Sequence, residues 1–308
     1  MAKDKYVWLV FLLVAGYVAW VAVSAHLTRA TDFAWSLYDQ KSAQLPSLGK
    51  IDGLILGGSN AVFSLSAERL SELSGERWYN ASIQNEGVTW ENQEGFLDDV
   101  TAAVDPNAVK TVIFASIRHV HRNLNDELFM RDIGFDEEPL PPVWLPFESL
   151  AETLVGPSRP MFSQFISPDG DLMHDESGMC VNPRSKERLE WAPEPEVDEM
   201  LELWLPAIRE RFPLADIVIS VPSQIIRETD AADDAAARAY MTLLNSRISA
   251  WESSHVFPTS VDIRTILEAN LTDESLVCNT NHHLNATGRT IRTDALFGAM
   301  EVGAKEGN

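Results

Sequence analysis

From Tyr6 to Leu27 the chain contains no Asp, Glu, Lys or Arg, and only His26 interrupts the apolar run near its end. At 1.5 Å per residue a helix over this stretch spans the roughly 30 Å hydrocarbon core of a bilayer. Trp8, Tyr17 and Trp20 have the amphipathic rings that sit near membrane interfaces. Lys3 and Lys5 precede the run, which predicts a cytoplasmic N-terminus and export of everything that follows. The competing reading is a cleavable signal peptide cut after Val23-Ser24-Ala25. Signal-peptide apolar cores are about 7–15 residues, so the greater length here predicts an uncleaved anchor within residues 1–30. Residues 31–50 read as a polar and aromatic connector.

From residue 51 the pattern becomes a rhythm of short apolar strands and amphipathic helices. Strands are predicted at Ile51–Leu56, Trp78–Ile83, Lys110–Ile117 and Ala215–Val221, with a weaker fifth at His255–Val261. Helices are predicted from Ser66, which reads as an N-cap, and over Glu91–Val104, Glu196–Phe212, Ala231–Glu252 and Thr287–Met300. Pro206 is expected to kink or end the helix it interrupts. Such alternation implies an α/β domain over 51–300, with a mostly parallel sheet covered on both faces and a short tail at 301–308. Ten of the sixteen prolines fall between Pro139 and Pro195, which marks an irregular insertion at about 122–195, either a binding loop or a surface decoration.

Charge sharpens the division. The formal net charge is −22, yet residues 1–30 carry Lys3, Lys5 and Arg29 against Asp4, so the remainder holds −24. So acidic a chain lacks the basic face that phosphate binding needs, which excludes a nucleic-acid partner. Cys180 and Cys278 are too few for a disulfide scaffold; in an exported domain they either bridge or stay as buried thiols.

The candidate chemistry begins at Leu54-Ile55-Leu56-Gly57-Gly58-Ser59-Asn60, an apolar strand feeding a glycine turn with a serine at its tip. Glycines permit the sharp backbone, and the hydroxyl lands at the carboxyl end of a parallel strand, where open α/β sheets bind ligands. Neither GxGxxG nor GxxxxGK[ST] is present, so the turn is no phosphate loop. A serine needs a base, and Asn279-Thr280-Asn281-His282-His283-Leu284-Asn285-Ala286-Thr287-Gly288 places histidines on a polar loop before the last helix.

These two blocks together resemble the SGNH (GDSL-type) hydrolase superfamily, and within it the membrane-anchored extracytoplasmic acyltransferase-like branch. The resemblance implies a flavodoxin-like three-layer α/β sandwich of roughly five parallel strands. Ser59 matches the family's nucleophile block, with Gly58 where Asp often stands, and His283-Leu284-Asn285 with Gly288 matches the closing block, with His283 as general base. The resemblance implies an oxyanion hole from the Ser59 and Gly87 amides. The family's asparagine block is absent after the third strand, which leaves Asn123 or Arg118 as donors. Thr280 stands where the family has its orienting Asp, so a dyad oriented by Asn279, a carboxylate from Asp262 or Asp273, or a catalytically silent binder are the alternatives.

Asn60, Arg118, His119, His121, His282 and Arg184 are candidate substrate contacts. His119 and His121 with His282 lack a paired metal signature, and Asp169-Gly170-Asp171 lacks the rest of a calcium loop, so neither a metal nor another cofactor is expected. The resemblance implies serine-based O-acyl transfer, with acetyl as the expected group, to a cell-envelope or secreted glycan. A membrane-bound O-acyltransferase partner would deliver the acyl donor. A carbohydrate esterase and a silent glycan-binding subunit are the alternatives. The acidic field favours a neutral glycan, unless Arg118, Arg122 and Arg184 form a basic lining.

Overall fold

The structure, a computed structural model, describes residues 2–31, 33–83, 90–115, 164–177, 180, 194–225, 231–254, 261–280 and 282–306. Five parallel strands are β1 (Gly53–Leu56), β2 (Trp78–Asn80), β3 (Thr111–Phe114), β4 (Asp216–Val221) and β5 (Ile263–Leu267). They pair in the order β2-β1-β3-β4-β5. That is the flavodoxin-like order, in which the chain starts in the sheet interior and reverses direction beside β1. The helices are α1 (Ala2–Thr31), α2 (Phe33–Gln44), α3 (Ser59–Ser64), α4 (Ala67–Ser74), α5 (Trp90–Ala103), α6 (His174–Ser177), α7 (Glu194–Arg211), α8 (Ala231–Ser254) and α9 (Ala286–Glu306).

Side chains alternate across a strand, and the core divides accordingly. Leu54, Leu56, Val112, Phe114, Ile217, Ile219 and Val221 face α5, α7 and α8, where Phe96, Leu201, Trp204, Ile208 and Leu244 are buried. Ile55, Ile113 and Val218 face the other way, onto Leu70 of α4 and Leu296 and Met300 of α9. Both faces are covered, which is why these strands read as continuous β-branched runs rather than alternating ones.

Several expectations need correcting. The fifth strand is Ile263–Leu267; of the expected His255–Val261, residues 255–260 lie outside the described residues. α7 does not end at Pro206 but runs on to Arg211. The connector at 31–50 is largely helix α2, and it docks on the domain through Phe33, which stacks against Phe165 at 5.3 Å and lies 5.6 Å from Phe63. Among the described residues no helix is long and apolar enough to cross a membrane. α1 is nonetheless helical over 30 residues, and Trp8, Leu9, Val10, Phe11, Leu12, Leu13 and Val14 on it are exposed.

One turn down α2 from Leu37 the docked face holds a lysine. Lys41 is fully buried and donates to the Asn80 carbonyl at 2.6 Å. Burial pulls its ammonium down to about 7, against an upward pull from Asp171. Between about 7 and 10.5 the unfolded chain therefore binds the proton that the folded one releases, so stability climbs as pH rises through that window. Urea midpoints are expected to increase from pH 7 to pH 9 in the wild type and to stay level in Lys41→Met. A level wild-type profile contradicts the assignment.

Candidate functional site

Ser59 opens α3 directly beyond β1, with Gly58 extended at the N-cap. Gly57 has φ of +150°, and a Cβ there would lie 2.9 Å from the Ala115 carbonyl. The glycine before the turn is thus required both by backbone conformation and by the closeness of β3. Ile83 donates to the Gly57 carbonyl at 3.0 Å and Ala115 to that of Leu56 at 2.9 Å, so the chain leaves both neighbouring strands beside the Ser59 turn. Ser59 is partly exposed while the rest of α3 is buried.

The closing block folds as a tight hairpin. Val277 bridges Leu284 in antiparallel fashion, Cys278 N–H donates to the His283 carbonyl at 2.7 Å, and His283 N–H donates to the Thr280 carbonyl at 3.1 Å. The residues after the histidine are structural. Leu284 is buried, Asn285 Oδ1 accepts from Gly288 N–H in the first turn of α9, and a Cβ at Gly288 would sit 3.0 Å from that of Leu284. The run His-Leu-Asn-x-x-Gly is therefore a plug, a helix cap and a close contact in succession.

Three contacts bind this hairpin to α3. Asn60 Nδ2 donates to the His282 carbonyl at 3.0 Å, Ser64 Oγ donates to the same carbonyl at 3.2 Å, and Leu284 N–H donates to Ser64 Oγ at 3.0 Å. The His283 ring stacks on Phe63 at 4.3 Å and 11°. Phe63 lies four residues after Ser59, hence on the same helical face, so His283 is brought to the side of α3 that carries the serine. The His283 Nδ1 atom lies 2.7 Å from Asn279 Oδ1. An amide oxygen only accepts, so Nδ1 carries the proton and the neutral ring keeps its lone pair on Nε2.

Thr280 places Oγ1 3.2 Å from Nδ1 of His282. The alternative carboxylates are elsewhere. Asp273 caps the 3-10 turn Glu274–Leu276, and its hydrogen bonds from Ser275 hold it below the ordinary carboxylate range. Asp262 precedes β5 at the opposite, amino-terminal end of the sheet, with its carbonyl on Ile217 and its carboxylate 3.4 Å from Arg264 Nε. Asn60 and His282 reach the site as scaffold: the Asn60 amide holds the hairpin, and the His282 ring meets His283 edge-on at 4.3 Å. Gly87, Arg118, His119, His121, Arg122, Asn123 and Arg184 lie outside the described residues. Among the described residues no three His, Cys, Asp or Glu side chains gather as a metal ion would require.

Two further site-forming residues, His174 and Asp171, come from the Pro-rich insertion. His174 is buried and its Nε2 donates to the carbonyls of Phe63 (3.1 Å) and Leu284 (2.9 Å), clamping α3 to the hairpin. Burial, then the nearby Arg289, lowers its pKa to about 4, so it holds this clamp as a neutral ring. Asp171 follows the Gly170 turn and accepts from Ser66 Oγ (2.7 Å) and from the amides of Ala67 (2.8 Å) and Glu68 (3.0 Å), capping α4. The Asp169-Gly170-Asp171 turn is thus a helix cap supplied from 104 residues away in the chain.

Cys180 and Cys278 form a disulfide across a sequence separation of 98 residues, fastening the insertion to the residue before Asn279. Closing a loop of that length restricts the unfolded chain, an effect worth about 4.7 kcal/mol in the chain-entropy model. The double variant Cys180→Ala, Cys278→Ala is expected to lose about that much in urea unfolding, with an accompanying loss of site activity. Unchanged stability contradicts the cross-link as a structural element.

No family model and no curated protein matches the sequence. Among solved structures, the phospholipase A1 from Streptomyces albidoflavus NA297 is similar over 81% of this chain and 98% of that one, at 11% identity and a TM-score of 0.31. A likeness of that degree bears no weight here, and the functional reading rests on the residues themselves.

Proposed function

We propose that the chain is a membrane-anchored, extracytoplasmic serine acyltransferase that moves an acyl group, in the simplest case acetyl, onto a neutral glycan. The observation that carries this reading is the 2.7 Å contact of Asn279 Oδ1 with His283 Nδ1, made by a ring stacked one helical turn from Ser59. That contact leaves Nε2 as the basic atom, which is what removal of a serine proton requires. In the scheme, Ser59 Oγ attacks the acyl carbonyl as its proton passes to His283 Nε2. The Ser59 amide, with that of Gly87, holds the oxyanion, and the imidazolium returns the proton to the leaving alcohol. A sugar hydroxyl then attacks the acyl-serine by the reverse sequence.

The anchor reading rests on the charge-free run at 6–27 and on the lysines that precede it. The Cys180–Cys278 bridge supports the placement of the domain, since such bonds persist in oxidising compartments. A membrane-bound partner would supply the acyl donor, and the chain's −22 charge favours an uncharged acceptor.

The test is acetyl transfer from p-nitrophenyl acetate by the full-length protein, with and without a neutral glucan. The proposal expects acetyl esters on the glucan and faster nitrophenol release in its presence. Release without glucan acetylation indicates an esterase, and no release from the folded protein indicates a glycan-binding subunit; either outcome contradicts the transferase.

A further inference from the structure

Between β5 and α9 lies a cavity of about 250 Å³, walled by Ile266, Leu267, Leu271, Ile291 and Leu296. Its polar lining is Ser223, Glu268 and Arg292. Glu268 and Arg292 form a two-pronged ion pair, Nε to Oε2 at 2.6 Å and Nη2 to Oε1 at 3.1 Å, with side chains only 6% and 1% exposed. Most of their remaining bonding capacity is used within the fold. Glu268 accepts from Ser220 Oγ and from Ser223 N–H, and Arg292 Nη1 donates to Asn60 Oδ1 at 2.6 Å and to the Asn60 carbonyl at 3.2 Å. The pair is neutral as a unit and offers a ligand no spare charge.

Ser223 is different. It is 3% exposed, and its Oγ has no hydrogen-bond partner among the described residues. A buried hydroxyl left unpaired costs free energy that a ligand atom can recover. An apolar cavity of 150 Å³ accommodates benzene, so 250 Å³ admits roughly ten heavy atoms in the same proportion.

We propose that this cavity is a binding site for an uncharged amphiphile, a short alkyl or acyl chain whose hydroxyl, ester or amide head bonds to Ser223 Oγ. Apolar walls with a few polar groups, of which the Ser223 hydroxyl is the one left unpaired among the described residues, are the composition of a small-ligand site. A carboxylate head is disfavoured, since Glu268 lines the same wall and its own carboxylate already pairs with Arg292. The site is joined to the Ser59 turn through the Arg292 guanidinium on Asn60, yet it does not depend on Ser59 acting as a nucleophile.

The experiment titrates 1-hexanol into the full-length protein held in amphipol and reads the thermal midpoint. Wild type is expected to show a saturable rise, Ser223→Ala an apparent affinity about tenfold weaker, and Ala295→Phe, which fills the cavity from the exposed side of α9, no saturable rise. Hexanoate is expected to bind at least about tenfold more weakly than hexanol. Melting without hexanol verifies folding, and Ser223→Ala should be no less stable than wild type because it removes only an unpaired hydroxyl. The same rise in Ser59→Ala separates this site from the catalytic proposal. Absence of a saturable rise in the wild type, its persistence in Ala295→Phe, or equal binding of hexanoate overturns the inference.

Discussion

Ser59→Ala is expected to abolish ester turnover, by at least ~10⁴-fold in kcat, while leaving the thermal midpoint near that of the wild type. The fold is spared because Asn60 and Ser64 carry the tertiary hydrogen bonds of α3 to the hairpin. Chemistry is lost because no other group would form the acyl intermediate. His283→Gln keeps most of the bulk stacked on Phe63 but removes the base, and a loss of roughly 10³–10⁴-fold is expected. Residues that act as one unit are not additive, so the double variant should be about as slow as the worse single one. Multiplicative losses would mean that the two side chains serve separate steps.

The second large effect concerns Asn279. Its oxygen is what keeps the proton on His283 Nδ1. Asn279→Leu removes that hold, the ring is free to adopt the other tautomer, and turnover should fall by roughly 10²–10⁴-fold with little change in KM. Asn279→Asp keeps an acceptor in place and adds a charge. A carboxylate beside an imidazole raises the imidazole pKa by about 1–3 units, so the acid limb of the pH–rate profile should move to higher pH. A Leu variant within threefold of wild type, or an Asp variant with an unmoved acid limb, contradicts the orienting role. That role is one a merely structural asparagine would not have.

The strands that pack on both faces were legible because their apolar runs are continuous, as in Thr111–Phe114 and Asp216–Val221. β5 was misplaced because it is an edge strand of intermediate burial, and Ile263-Arg264-Thr265-Ile266-Leu267 lacks such a run. The helical character of α2 is hidden in the sequence for a similar reason. Its docked stripe is Phe33, Leu37 and Lys41, and a buried lysine at the third position looks like solvent-facing polarity. The serine turn and the histidine hairpin were legible as motifs. Asn279 stands among the orienters the sequence offers beside Asp262 and Asp273, and its contact with His283 follows from pairing Cys278 with His283 across the turn rather than from spacing along the chain. His174 and Asp171 act over more than a hundred residues of sequence separation, through contacts that no local pattern records.

The most direct test of the central claim, a Ser59 hydroxyl activated by His283, is mass spectrometry of the disulfide-intact protein after exposure to a fluorophosphonate. A single adduct is expected that maps to Ser59 and forms far more slowly in His283→Gln. A folded wild-type protein that takes up no adduct, or carries it on another serine, contradicts the account.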